Sequence, residues 1–402
     1  MPRRFCFVIP RFFEGLAGGA ETLVSNLATQ VAESGHSVEL LATCARDNRT
    51  WQNELPEGSS ALKGITLRRF PVDSRDLQQW IPIQQAIHAG QRVSHEQQLI
   101  WMGESVNSLA MYRYIVENQE RFDLFFFGPY LFGTTFWGSQ IVPHKSILIP
   151  CLHNETYAYL EIVASMFRSV RGCIFNAPPE QQLANALYGE LPGGVVGMGF
   201  DGPSNNHDGE QQYFKDNFPY VLYLGRKETG KNAHLLVDYF CEAKSSGLIP
   251  TSCKLVVLGG GSFEDLHRQE ALQRDDIVDL PHVSEVDKRR IVSGALCLCQ
   301  PSCNESFSIV LMEAWQQRVP VVVHGECPVT RYHVEESGGG LYFGSPEEFG
   351  GVIRHLLEDS SQQRLMAQRG FEYVEAHYSW ERVRSRFFAV LDSIESAPLR
   401  ST

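Results

Sequence analysis

Short apolar runs alternate with amphipathic stretches along nearly the whole chain. Residues 4–9 (RFCFVI) form an apolar run of strand length, and from about Ala20 the residues Leu23, Val24, Leu27, Ala28 and Val31 recur at helical spacing. Gly35 closes that helix, and residues 37–43 (SVELLAT) make the next strand. A strand–helix–strand unit of this kind has a right-handed crossover and parallel strands. Further runs follow at 65–70 (ITLRRF), 123–127 (DLFFF), 146–152 (SILIPCL) and 173–177 (CIFNA), with helical segments between them, the last opened by Pro178 and Pro179. Such alternation predicts a doubly wound parallel sheet.

Residues 201–219 (DGPSNNHDGEQQYFKDNFP) interrupt the pattern with a polar, aperiodic stretch, which reads as an interdomain linker. The alternation then restarts. Strands are expected at YVLYLG, KLVVLG, IVDL, LCLCQ, VPVVVH and GLYF, with helices beginning near Lys231, Phe263, Glu285, Ser306, Val329 and Pro346. Amphipathic segments at 362–377 and 380–396 end the chain. The predicted architecture is therefore two Rossmann-like α/β domains, residues 1–200 and 220–378, joined by the 201–219 linker. A final helix within 379–402 is expected to cross back to the first domain. Open parallel sheets bind ligands at the carboxyl ends of their strands, so two such domains suit a two-part ligand.

Composition narrows the function classes. The 402 residues carry a formal charge of −12, which argues against a nucleic-acid partner. Ten cysteines are scattered, several inside apolar runs such as 295–303 (ALCLCQPSC). Zinc knuckles of the C-x-x-C kind, or histidines close in sequence, are lacking, so the cysteines read as reduced, buried thiols. The start, MPRRFCFVIP, has too short an apolar run for a signal peptide. The stretch 123–138 is broken by Gly128, Pro129 and Gly133 and is too short to span a bilayer. The expectation is a cytoplasmic protein, at most peripheral to the inner face of a membrane; residues 161–172 (EIVASMFRSVRG) are the candidate membrane-facing helix.

Four segments carry chemistry. In PSCNESFSIVLMEAW (301–315), Glu305 and Glu313 flank an apolar helical stretch directly after a buried strand. Free N–H groups at that helix start suit an anion or a hydroxyl; read alone, Glu305 is equally a first-turn acid and Glu313 a surface glutamate. In YLGRKETGKN (223–232), Arg226 and Lys231 stand at a strand–loop–helix junction, where two cations can hold a diphosphate. Gly18 and Gly19 precede the first long helix and permit close backbone approach, with Glu21 in its first turn. His153 follows a strand of the first domain in IPCLHNE (149–155), beside Asn154 and Glu155.

PSCNESFSIVLMEA resembles the E-x7-E segment of glycosyltransferase family 4, the retaining GT-B enzymes, whose usual form is PSxxEGFGxxxxEA. That resemblance implies that Glu305 binds donor-sugar hydroxyls and Glu313 the ribose. It turns Ser306 and the backbone N–H groups of Phe307, Ser308 and Ile309 toward sugar or diphosphate. Ser306 and Ser308 replace both glycines of the usual form, which opens the question of sugar preference. GRKETGK is similar to the family's diphosphate clamp, giving Arg226 and Lys231 that role. The glycine loop corresponds to Gly18 and Gly19, and the family often places a histidine at His153 on the donor sugar. Residues 279–290 resemble the base-binding strand end, with the backbone at Val283 facing the base and Pro281 in place of a glycine. The glycine-rich turn 256–262 lacks the G-x-G-x-x-G pattern of a dehydrogenase.

The expected function is transfer of a hexose-type sugar from a UDP- or GDP-linked donor to a glycan, lipid-linked or small-molecule hydroxyl, with retention. No D-x-D triplet occurs, and neither cofactor nor metal is expected. The competing expectations are a non-catalytic sugar-nucleotide-binding regulatory subunit and a sugar-nucleotide epimerase on the same fold.

Overall fold

The computed structural model describes residues 2–16, 18–202 and 212–398. Residues 203–211 of the 201–219 segment therefore lie outside the described residues. The chain divides into two compact units, Met1–Gly199 with Trp380–Thr402, and Phe200–Ser379.

The first unit holds eight strands: β1 (Arg4–Arg11), β2 (Ser37–Thr43), β3 (Gly58–Leu62), β4 (Ile65–Phe70), β5 (Leu124–Phe127), β6 (Ser146–Leu148), β7 (Gly172–Phe175) and β8 (Gly193–Val195). They form one sheet in the order β3-β4-β2-β1-β5-β6-β7-β8. Strand β5 is buried at all four positions, the signature of a parallel strand covered on both faces. Hence Phe125, Phe126 and Phe127 are core residues. All pairings are parallel except β3 with β4, an antiparallel hairpin at the edge. Its two-residue turn, Lys63–Gly64, takes positive φ at both positions (43° and 81°), the twist that tight hairpins prefer. The exposed, polar β3 carries too little apolar signal to read from sequence.

The helix Glu161–Ser169 turns Ile162, Val163, Met166 and Phe167 into this core. Its apolar face is consumed by packing, which corrects the reading of a membrane-facing helix. No helix of the described residues is long and apolar enough to cross a membrane.

The second unit holds β9 (Tyr220–Leu224), β10 (Lys254–Leu258), β11 (Ile277–Leu280), β12 (Cys297–Gln300), β13 (Val321–His324) and β14 (Gly340–Phe343). Their order is β11-β10-β9-β12-β13-β14, all parallel, the nucleotide-binding order in which the chain reverses direction between its first and fourth strands. Two helix starts differ from expectation. At Phe263 there is no α-helix, only a 3-10 turn at Gln269–Gln273. The Asp265 carboxylate accepts from the Ser262 N–H at 2.9 Å, and His267 adopts φ 54°, so a right-handed helix cannot run through. The helix expected from Ser306 begins at Ile309, because Ser308 sits at φ 67°.

The closing helix, Trp380–Ser396, packs within the first unit. Phe387 meets Phe126 at 5.5 Å between ring centroids, and Arg3 pairs with Glu395 at 2.5 Å. Within the second unit the helix Ser360–His377 passes so close to Trp315 that a Cβ on Gly370 would lie 2.0 Å from Cδ1 of the indole. Trp315 is fully buried and its Nε1–H donates to the Gly339 carbonyl at 2.8 Å, so it cannot yield. Gly370→Ala should therefore destabilise the unit by about 1–3 kcal/mol, overpacking outweighing the ~1 kcal/mol gain in helix propensity. A melting temperature equal to or above that of the parent protein would refute this contact.

Candidate functional site

The crevice of a doubly wound sheet opens where neighbouring strands send their connections to opposite faces, beyond the carboxyl ends. In the second unit that point lies between β9 and β12. The loop after β9 carries Arg226 and Lys231, and the loop after β12 carries Glu305. The fold brings Lys231 and Glu305 together across this point: Nζ lies 2.7 Å from Oε1. Glu305 is only 12% exposed on its side chain, so the lysine offsets the cost of covering a carboxylate. Arg226 stays exposed and pairs with Glu228 at 3.1 Å. Asn232, in the left-handed conformation, caps the next helix and donates from Nδ2 to the Pro301 carbonyl at 3.1 Å, tying the two loops together.

Glu313, on the helix Ile309–Gln316, accepts from Lys288 Nζ at 2.9 Å. Burial works against the charge of Lys288, yet the Glu313 and Glu285 carboxylates raise its pKa above the ordinary lysine value. A carboxylate has capacity for about four hydrogen bonds, so one lysine leaves Glu305 and Glu313 able to accept from hydroxyls. Ser308 is strained. It holds the left-handed conformation that its glycine counterpart would adopt freely, it is 5% exposed, and its Oγ is buried with no hydrogen-bond partner. Val283 lies in the half-exposed loop between β11 and the helix Glu285–Ser293.

One residue of this edge escaped the sequence reading. Lys227, 2% exposed, donates from Nζ to the carbonyls of Gly259 (2.7 Å) and Leu280 (3.0 Å) and pairs with Asp279 at 2.7 Å. It joins the carboxyl ends of β9, β10 and β11 and so holds the strand end that leads to Val283. Lysine next to Arg226 in a polar loop looks like a solvated cation; only the crossing of three strands shows otherwise. Gly259 belongs to the same joint, since a Cβ there would meet the Gly225 carbonyl at 2.1 Å.

In the first unit the corresponding reversal lies between β1 and β5. Gly18 caps the helix Gly19–Glu33. A Cβ at 18 would sit 2.4 Å from a Glu21 carboxylate oxygen, so the Glu21 side chain would have to shift, while the space at Gly19 is open. Glu21 pairs with Arg11, at the end of β1, at 2.9 Å, so it is a structural acid rather than a free one. His153, beyond β6, has Nδ1 3.4 Å from Glu155, which accepts from the Tyr130 hydroxyl at 2.9 Å. A separate cavity of 730 Å³ is lined by Asn107, Leu109, Tyr112, Val116, Trp137 and Ile141 among others.

The His153 loop is anchored by a second acid that the sequence did not mark. Glu180, 1% exposed, accepts from the Leu152 N–H at 2.6 Å and the Asn176 N–H at 2.5 Å. Burial outweighs these donors and pushes its pKa up to about 8. A folded-state pKa above the unfolded value stabilises the protein fully only below the unfolded value, and the contribution is lost as pH rises toward the folded one. The protein should lose stability between about pH 4.5 and 8, by up to ~1.4 kcal/mol per pH unit from this group. Glu180→Gln, which cannot ionise, should show a flatter profile of melting temperature against pH; parallel profiles would exclude the buried carboxyl as the cause.

Two doubly wound units in one chain, each with polar loops at its carboxyl edge, define the GT-B class of fold. Sucrose-phosphate synthase (tll1590) from Thermosynechococcus elongatus superposes over 98% of this chain and 100% of its own, with TM-score 0.73 at 15% identity. Anabaena Alr3699/HepE in complex with UDP and glucose covers 97% and 100%, with TM-score 0.69 at 16% identity. In sequence, residues 205–373 match the family described as glycosyl transferases group 1. Glycosyltransferase 1 domain-containing protein 1 of Xenopus tropicalis is 22% identical over 30% of this chain and 35% of its own length. The chain spans about a third to a half of the length of the curated relatives it matches. Lys231, Glu305 and Glu313 lie within the matched residues 205–373, so the similarity to the glycosyl transferases group 1 family covers the segment that holds them.

Proposed function

We propose that this protein is a retaining, metal-independent glycosyltransferase that moves a hexose-type sugar from a UDP- or GDP-linked donor to an acceptor hydroxyl. The observation that carries the reading is the Lys231–Glu305 pair at the strand reversal of the second unit, inside the family segment. A structural neighbour with UDP and glucose bound, Alr3699/HepE, supports a nucleotide-sugar donor.

In this reading Arg226 and Lys231 bind the diphosphate, with Phe307, Ser308 and Ile309 offering backbone N–H groups near it. Glu305 accepts from sugar hydroxyls, Glu313 from the ribose, and the backbone at Val283 meets the base. By the same resemblance, Gly18, Gly19 and His153 are the functional positions of the first unit, which receives the acceptor. The bond between the anomeric carbon and the β-phosphate oxygen breaks, and the electron pair leaves with the nucleoside diphosphate. The acceptor oxygen bonds to the same face of the carbon, and its proton passes to the departing phosphate oxygen. Lysine and arginine stabilise charge that grows only as the bond breaks, so they act on the transition state more than on the ground state.

Lys231→Ala should lower turnover roughly 10²–10³-fold, the usual loss for one charge-stabilising donor. The measurement is release of nucleoside diphosphate by purified protein with donor and acceptor and with chelator present. Undiminished turnover in the variant would remove Lys231 from the clamp. A thermal-shift panel of UDP, GDP and their sugars tests donor binding directly, because a ligand of the folded state raises the melting temperature. No shift with any of them would overturn the assignment.

A further inference from the structure

The fold assembles a donor cluster that no sequence spacing announces. Cys303 lies in the loop after β12, and His324 ends β13, with Glu326 two residues beyond. β12 and β13 are parallel neighbours, so their carboxyl ends bring these residues together. Sγ of Cys303 lies 3.5 Å from Nδ1 of His324, and one donor atom from each of the three residues falls within 4.8 Å of the others. Nδ1 accepts the Glu326 backbone N–H at 3.2 Å. This nitrogen therefore presents its lone pair, and the ring proton sits on Nε2.

We propose that Cys303, His324 and Glu326 form a binding site for one thiophilic divalent cation of the Zn²⁺ class. Thiolate, imidazole and carboxylate together are the donor set that zinc prefers over Mg²⁺ or Ca²⁺. A tetrahedral ion at ~2.1–2.3 Å from nitrogen and sulfur separates those two donors by roughly 3.6 Å, close to the spacing already present. Glu326 is exposed and its side chain can close the remaining distance. Binding displaces the thiol proton to solvent and exchanges the Nδ1 hydrogen bond for a metal bond. Asn232 donates from Nδ2 to Cys303 Sγ at 3.3 Å, the kind of outer contact that orients a ligating sulfur. Three protein ligands leave a fourth position for water.

This site is separate from the proposed transfer chemistry and needs no sugar nucleotide. Its position couples it to that chemistry all the same: Cys303 is two residues from Glu305, and Asn232 directly follows Lys231.

The test uses the full-length protein, reduced and freed of metal. Equilibrium dialysis against Zn²⁺ should give one equivalent bound, and Co²⁺ in its place should produce a near-ultraviolet sulfur-to-metal band. Cys303→Ser should abolish that band and weaken Zn²⁺ at least tenfold, as should His324→Gln. Asn232→Ala should weaken it about 10–100-fold with the band retained. Cys241→Ser, at a half-buried thiol on the helix Ala233–Ser245, should change nothing. Circular dichroism and melting of each apo variant establish that it is folded. No bound zinc in the parent protein, or an unchanged band in folded Cys303→Ser, would overturn the proposal. Neither result bears on nucleotide binding, which the thermal-shift panel reads by itself.

Discussion

Burial of both faces of the two parallel sheets is the constraint on which everything else depends. Helices cover β5 and β12 so fully that every residue of either strand is buried. Polar chemistry is thereby expelled from the strands to the loops beyond their carboxyl ends. Every residue assigned a role in sugar transfer, from Gly18 and His153 to Lys231, Glu305 and Glu313, lies in such a loop or on the helix that follows it. The core supplies no reactive group; it supplies fixed points from which short loops project.

Charge at these edges is held by opposition. Lys231 faces Glu305, Lys288 faces Glu313, and Lys227 is neutralised by Asp279 while bonding two carbonyls. Each pair pre-positions a side chain that would otherwise sample many rotamers, which lowers the ordering cost when a ligand arrives. The three pairs differ in what they leave open. Lys227 is sealed and serves the backbone. Lys231 and Glu305 remain partly accessible, and both can exchange their mutual contact for a ligand's phosphate and hydroxyls.

Strain marks the same region. Ser308 keeps a left-handed backbone that costs of order 1–3 kcal/mol for a residue with a side chain. Its covered Oγ has no partner. The surrounding loop, pinned by Asn232 and by the helix beyond, over-determines that conformation. A serine in a glycine's geometry adds a covered hydroxyl to the proposed donor loop, a departure of this chain from the usual motif.

The sequence by itself determined the alternation of strands and helices, all six strands of the second unit and the residues of the E-x7-E segment. It could do so because apolar periodicity and short motifs are local properties. It misplaced the helix at Phe263 and the start at Ser306, since a side-chain bond from Asp265 and one left-handed residue override periodicity. It missed β3, whose polar residues pair only through an edge hairpin, and β8, a three-residue Gly-Gly-Val strand at the other edge. Lys227, Glu180 and the Cys303–His324–Glu326 cluster were decided by tertiary structure alone. Their meaning comes from carbonyls, amides and donor atoms brought in by other strands. A lysine, a glutamate or a cysteine has no distinctive chemistry until the fold determines what surrounds it.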